Sequence, residues 1–259
     1  MKTIIFYAAL AFIITLLPFK KNEKSSEDIT TLEVQVKGQF FLVEQNLFRN
    51  LTTRTSIGFK DEDRVFVVYK IRENRSNQSV KLERKIEKDT IVLYYLINKN
   101  SSRGLVYGHD RVNQFNGRIF NLDSLLLDRG IDSNNFRVLS LDLGQPAEII
   151  QKDKYQKMER YLFKKTTTAD PDSIIRHYDS QFKKFDFTFS NSLDRINDSK
   201  LVKTQIIYNG VAKQIAQSDV DIPRREMIWE MKTDKKVDKK LLAVYFKKFK
   251  TDSENLKLK

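Results

Sequence analysis

The sequence predicts an α+β fold, an antiparallel β-sheet with a few helices packed on one face, and three observations predict it. Apolar residues alternate strictly at Val65, Val67, Tyr69 and Ile71, and again at Ile91, Leu93, Tyr95 and Ile97. That is the period of a half-buried strand. Met227, Trp229 and Met231 repeat the pattern near the C-terminus. Between them, Ile174, Ile175, Tyr178 and Phe182 fall at helical spacing behind Asp170 and Pro171. Asp is a good N-cap and Pro suits the first helical position.

Taken in order, Leu32, Val34 and Val36 alternate as a short strand, and Phe40, Val43, Leu47, Phe48 and Leu51 place a helix over residues 39–51. Residues 64–98 read as a three-stranded meander with one wet face, with Val80 and Leu82 in its middle strand and a turn at Lys88 and Asp89. Residues 123–129, stopped by Gly130, form a short helix, and Phe136, Val138 and residues 140–143 another strand. Pro146 opens a charged helix to about Lys165 with Tyr155, Met158 and Leu162 on its stripe, and residues 164–169 make a linker. After the Pro171 helix, Phe185, Phe187 and Phe189 alternate as a strand, and Ile206 and Tyr208 mark another. The chain ends in a C-terminal hairpin pairing the Met227 strand with Leu242, Val244 and Phe246; a basic amphipathic helix over residues 234–250 is its rival.

The organisation is an apolar segment over residues 1–19, a polar linker over 20–30, and one basic α+β domain over 31–259. Residues 3–19 carry no charge and follow Lys2, the layout of an export signal. The run is short for a membrane span, and no small-x-small cleavage site follows it. A cleaved signal peptide and a retained anchor both fit. Either places the chain in the cell envelope: periplasmic, membrane-anchored or secreted. The chain has no cysteine, which excludes disulfides, thiolate metal sites, a Cys nucleophile and a lipidated Cys.

Formal net charge is +13. A basic balance favours anionic partners, although cations spread along a chain are also what a solvated surface looks like. The densest group lies at the C-terminus, where Lys235, Lys236, Lys239, Lys240, Lys247, Lys248 and Lys250 flank an apolar block. As a helix this stretch could lie on an anionic membrane surface.

Candidate chemistry is sparse. His109 and Asp110 follow Gly108 in a glycine-flanked loop, a general base beside a carboxylate. His177 is the other histidine, beside Tyr178 on the Pro171 helix. Asp61, Glu62 and Asp63 read as a solvated turn. No nucleophile elbow, phosphate loop, dinucleotide fingerprint or metal-ligand spacing occurs, so no cofactor and no metal is expected. The expected function is a non-catalytic binding domain in the envelope, whose partner is a protein or an anionic envelope surface. Its rivals are an exported hydrolase built on His109 and Asp110, and a nucleic-acid binder, which conflicts with export.

Overall fold

Eleven strands of the computed structural model form one antiparallel sheet, in the order β6-β5-β4-β3-β2-β1-β11-β10-β9-β8-β7. The structure describes residues 28–75, 86–108, 117–131, 143–164 and 170–256. The strands are β1 (Thr30–Leu42), β2 (Leu47–Lys60), β3 (Asp63–Arg75), β4 (Ile86–Asn98), β5 (Arg103–Gly108), β6 (Arg118–Asn121), β7 (Glu148–Gln151), β8 (Gln156–Leu162), β9 (Ser173–Asp179), β10 (Lys200–Tyr208) and β11 (Arg225–Thr233). Two meanders therefore lie side by side. They are joined where β1 pairs β11, from Leu32 opposite Thr233 to Gly38 opposite Met227. The expected antiparallel sheet is present, and it dominates the fold.

The helices lie on both faces of the sheet, not on one. The first face carries Leu32, Val34 and Val36 together with Ile57, Phe66 and Trp229. It is covered by α1 (Leu122–Asp128) through Leu125 and by α2 (Asn191–Ile196) through Leu193. The opposite face of β3, β4 and β5 carries Val65, Val67, Leu96 and Leu105. There it packs against α4 (Lys239–Asn255), the last helix after the short α3 (Lys213–Ala216). Residues 65–68 are consequently buried on both faces, and the wet face expected of this strand begins only at Tyr69.

The C-terminal hairpin is not formed; its rival is. Asp238 caps α4 by accepting hydrogen bonds from the backbone N–H groups of Lys240 and Leu241. Leu242, Tyr245, Phe246 and Phe249 then recur at the spacing of one helical face. α1 follows the expectation at residues 123–129, with Asn121 as its cap and Gly130 at a φ of +68° beyond its end.

Three expected helices are strands. Residues 39–42 and 47–51 are ladder on either side of a tight turn, because β1 pairs β2 residue by residue from Thr30 opposite Phe59 to Leu42 opposite Leu47. The charged stretch after Pro146 is the β7–β8 hairpin: Asp153 accepts hydrogen bonds from the N–H groups of Tyr155 and Gln156 and turns the chain back. The Pro171 segment is β9, held between β8 and β10. Asp172 does not continue a cap there; its N–H donates to the carbonyl of Ile207.

The Phe185, Phe187 and Phe189 segment is not a strand. It is irregular chain after a 3-10 turn over Ser180–Lys184, and it drops Phe185 and Phe189 into the core. Lys88 and Asp89 are not a turn; they pair with Glu73 and Arg72. The middle strand expected at Val80 and Leu82, the strand at residues 136–142, the apolar segment 1–19 and most of the linker 164–169 lie outside the described residues.

Candidate functional site

His109 and Asp110 lie outside the described residues. The seven lysines are described, on α4 and the loop before it. All but Lys248 are exposed. Lys248 pairs with Asp252 at 3.1 Å and sits 5.7 Å from the centre of the Tyr107 ring. The apolar stripe between these lysines packs on the sheet, so α4 as folded does not offer that stripe to a membrane.

A different apolar surface is open. β11 accompanies β1 only as far as Gly38, and β3 accompanies β2 only from Thr55. The β1–β2 ladder runs on to Leu42 and Leu47. Residues 39–51 therefore project from the sheet as a two-stranded ribbon, neither edge of which is paired among the described residues. A 3-10 turn over Val43–Gln45 closes its tip, with Asn46 in the left-handed region at φ 46°. Phe40 is 43% exposed, Leu47 49%, Phe48 40% and Leu51 50%. Strand alternation puts Phe40, Leu42, Leu47 and Leu51 on one face. It puts Phe41 and Phe48 on the other, as an edge-on ring pair 5.4 Å apart.

The base of this ribbon is fixed. The Arg129 guanidinium, at the end of α1, donates to Thr55 Oγ1 at 3.2 Å and to the Arg54 carbonyl at 3.1 Å. Thr53 Oγ1 donates back to the Arg129 carbonyl at 2.9 Å. Burial lowers the Arg129 pKa, so this cation is already held within the protein. Gly38 lies where a Cβ would come within 2.8 Å of the Phe40 ring, which folds back along the strand. Lys37, Arg49 and Arg54 are exposed around the ribbon. A cleft of about 230 Å³ opens at its base between Lys37, Gln39, Asn50, Thr52, Glu226 and Ile228.

A second cleft, of about 240 Å³, lies where β10 shifts register between Leu201 and Lys203. Its lining includes His177, Lys152, Gln156, Lys203 and Glu230. Lys203 and Glu230 stand 3.8 Å apart. His177 is a half-buried strand residue, not a helical one as its setting in the sequence suggests. Burial first, then Lys152 and Lys203, push its pKa down to about 4, against a smaller upward pull from Glu230. At neutral pH it is an uncharged imidazole, able to accept a hydrogen bond.

The expected titration follows from that. The imidazole resonances of His177 should titrate with a midpoint near 4. The folded pKa lies below the unfolded value, so the unfolded chain takes up the proton first. The contribution of His177 to stability is then whole above about pH 6.5 and is lost as pH falls towards 4. A midpoint near 6.5 in the folded protein would refute it. In a His177→Gln variant, acid melts should lose their slope in this window.

Sequence reasoning missed a buried polar cluster on β8 and β9. Glu159 accepts hydrogen bonds from Lys157 Nζ and Tyr161 Oη, each at 2.8 Å, and pairs across the ladder with Arg176. Glu159 is 7% exposed and Arg176 2%. The only signal was charge placed inside a strand period.

The ribbon was visible in a misread form. Phe40, Phe41, Leu42 and Val43 stand before Glu44, Gln45 and Asn46, and Leu47 and Phe48 after them. Apolar runs mirrored about a polar turn mark a hairpin. Among the described residues, no group of three or more His, Cys, Asp or Glu could hold a metal ion. No protein-family model matches the chain, and no curated protein matches it.

Proposed function

We propose that this chain is a non-catalytic interaction domain of the cell envelope, exported or membrane-anchored, which engages its partner through the ribbon of residues 39–51. The observation that carries this reading is the gathering of exposed Phe40, Val43, Leu47, Phe48 and Leu51 on one projecting element. An isolated two-stranded ribbon is marginal in water. A contiguous apolar patch on it stays wet unless something covers it. The uncharged residues 3–19 support the envelope location.

The absence of cysteine makes a direct test simple. A thiol placed at Leu47→Cys reports whether the ribbon is covered. In the purified protein it should react freely with a hydrophilic maleimide. In the native envelope fraction it should react several-fold more slowly. A thiol at Ile215→Cys, on α3 and 74% exposed, should react alike in both. Equal rates at both positions would refute docking through the ribbon.

A further inference from the structure

We propose that the occupant of the ribbon is the headgroup zone of an anionic lipid surface; this rests on the reading of the ribbon as the docking element. The ribbon carries apolar side chains on both faces, with Phe40, Leu47 and Leu51 around Arg49 on one and the Phe41–Phe48 pair on the other. A flat protein surface, or a second copy of this chain, would cover one face and leave the other in water. Each face is also small. Four or five residues per strand span roughly 15 Å and two strands about 10 Å, a footprint of about 150 Å². A stable protein interface needs about 800 Å² from each partner. A fluid lipid surface closes around both faces at once.

Two features set the depth. Among the described residues neither edge of the ribbon is paired, because pairing with β11 stops at Gly38 and pairing with β3 begins only at Thr55. Unpaired backbone N–H and C=O groups are excluded from hydrocarbon. Glu44 stands in the tip turn, and its carboxylate belongs with water and headgroups. The aromatic and leucine side chains therefore enter only the boundary between headgroups and acyl chains, the depth reached by interfacial amphipathic elements. The charge at the collar matches. Lys37 and Arg54 are exposed at the base and Arg49 is exposed opposite Phe40, and each cation near an anionic leaflet strengthens binding about fivefold.

The test uses the full chain carrying an environment-sensitive dye on Leu47→Cys, with Ile215→Cys as the reference. Vesicles contain phosphatidylcholine and phosphatidylglycerol in equal amounts, or phosphatidylcholine alone. On the anionic vesicles, emission at position 47 should shift to the blue and that at 215 should not. A nitroxide near the headgroup should quench the dye more than one at the chain terminus. Arg49→Gln with Arg54→Gln should weaken the vesicle response on the order of twentyfold. These side chains are exposed, so the thermal midpoint should not move and loss of folding is separately visible.

An unshifted dye at 47 on vesicles that nonetheless carry the chain would overturn the lipid proposal. If the thiol at 47 is still masked in the envelope, the docking reading stands with a protein occupant. A shift that grows with protein concentration without vesicles would assign the ribbon to a second copy and also overturn the proposal.

Discussion

Alanine at Tyr245 is expected to lower the unfolding free energy by about 4 kcal/mol, the cost of removing a large buried aromatic side chain. Tyr245 is fully buried at the centre of the contact between α4 and the sheet. Its ring stacks on Tyr94 with centroids 4.0 Å apart and interplanar angle 19°, and lies 5.9 Å from Tyr107. Its hydroxyl donates to the Gly108 carbonyl at 2.9 Å. Tyr245→Phe removes that hydrogen bond while keeping the ring, and should cost about 1 kcal/mol. Urea denaturation separates the two effects. The alanine variant should lose midpoint at unchanged slope if α4 and the sheet unfold together. Two resolved transitions would show instead that α4 leaves on its own and uncovers Val65, Val67 and Leu96.

The strands that were legible in the sequence are those rich in β-branched and aromatic residues, even where, as at residues 65–68, both faces are buried. Val65 to Ile71, Ile91 to Ile97 and Met227 to Met231 show the period directly, and each lies in a strand. β9 was hidden because its buried face carries Arg176 between Ile174 and Tyr178. With a cation in the core position, the remaining apolar residues fit a helical stripe better than an alternating one. α4 was hidden for the opposite reason. Leu242, Val244 and Phe246 alternate, but Val244 is 47% exposed, and it is Tyr245 and Phe249 that complete the buried face. The stretch after Pro146 shows the limit of local propensity. Its charges suit a helix, and the turn at Asp153 with the long-range pairing to β9 overrides them.

The ribbon shows the same limit from the functional side. Phe40, Leu47, Phe48 and Leu51 have helical spacing, and as a helix they would have been core. They project because pairing with β11 stops at Gly38 and pairing with β3 begins only at Thr55. β3 runs on to Arg75 beside β4, and β11 reaches back to Arg225 beside β10, so the ribbon parts from neighbours that keep other partners. The lysines at 235–250 were legible as a basic group. The side on which their apolar block would be used was not, since that depends on Val65, Val67 and Tyr94 being free to receive it.

Replacing Glu159 with alanine is expected to cost about 3–5 kcal/mol, because it leaves cations without their compensating charge. Lys157 would lose the carboxylate at 2.8 Å, keeping Asn197 Oδ1 on its other side. Arg176, across the ladder, is 2% exposed with its guanidinium 5.2 Å from the Tyr161 ring. The titration behaviour of the cluster agrees with a strained charge balance. Burial pushes the Glu159 carboxyl up, but the hydrogen bonds from Lys157 and Tyr161 together outweigh it and hold the pKa below the ordinary value. Burial and the hydrogen bond to Glu159 raise the Tyr161 hydroxyl to about 12.

For a carboxylate with a lowered folded pKa, the stabilisation is present above its unfolded value of 4.5 and is lost as pH falls through the folded one. Glu159→Gln should therefore flatten the acid limb below pH 4.5 and leave the His177 window above it unchanged. A double variant, Glu159→Leu with Arg176→Met, separates charge from packing. If the single loss is uncompensated charge, the double variant should be more stable than Glu159→Ala, because it also removes the buried Arg176 cation that faces Glu159 across the ladder. If it is less stable, the cluster holds β8 to β9 through its hydrogen bonds, and the polar contacts themselves supply the strength of that side of the sheet.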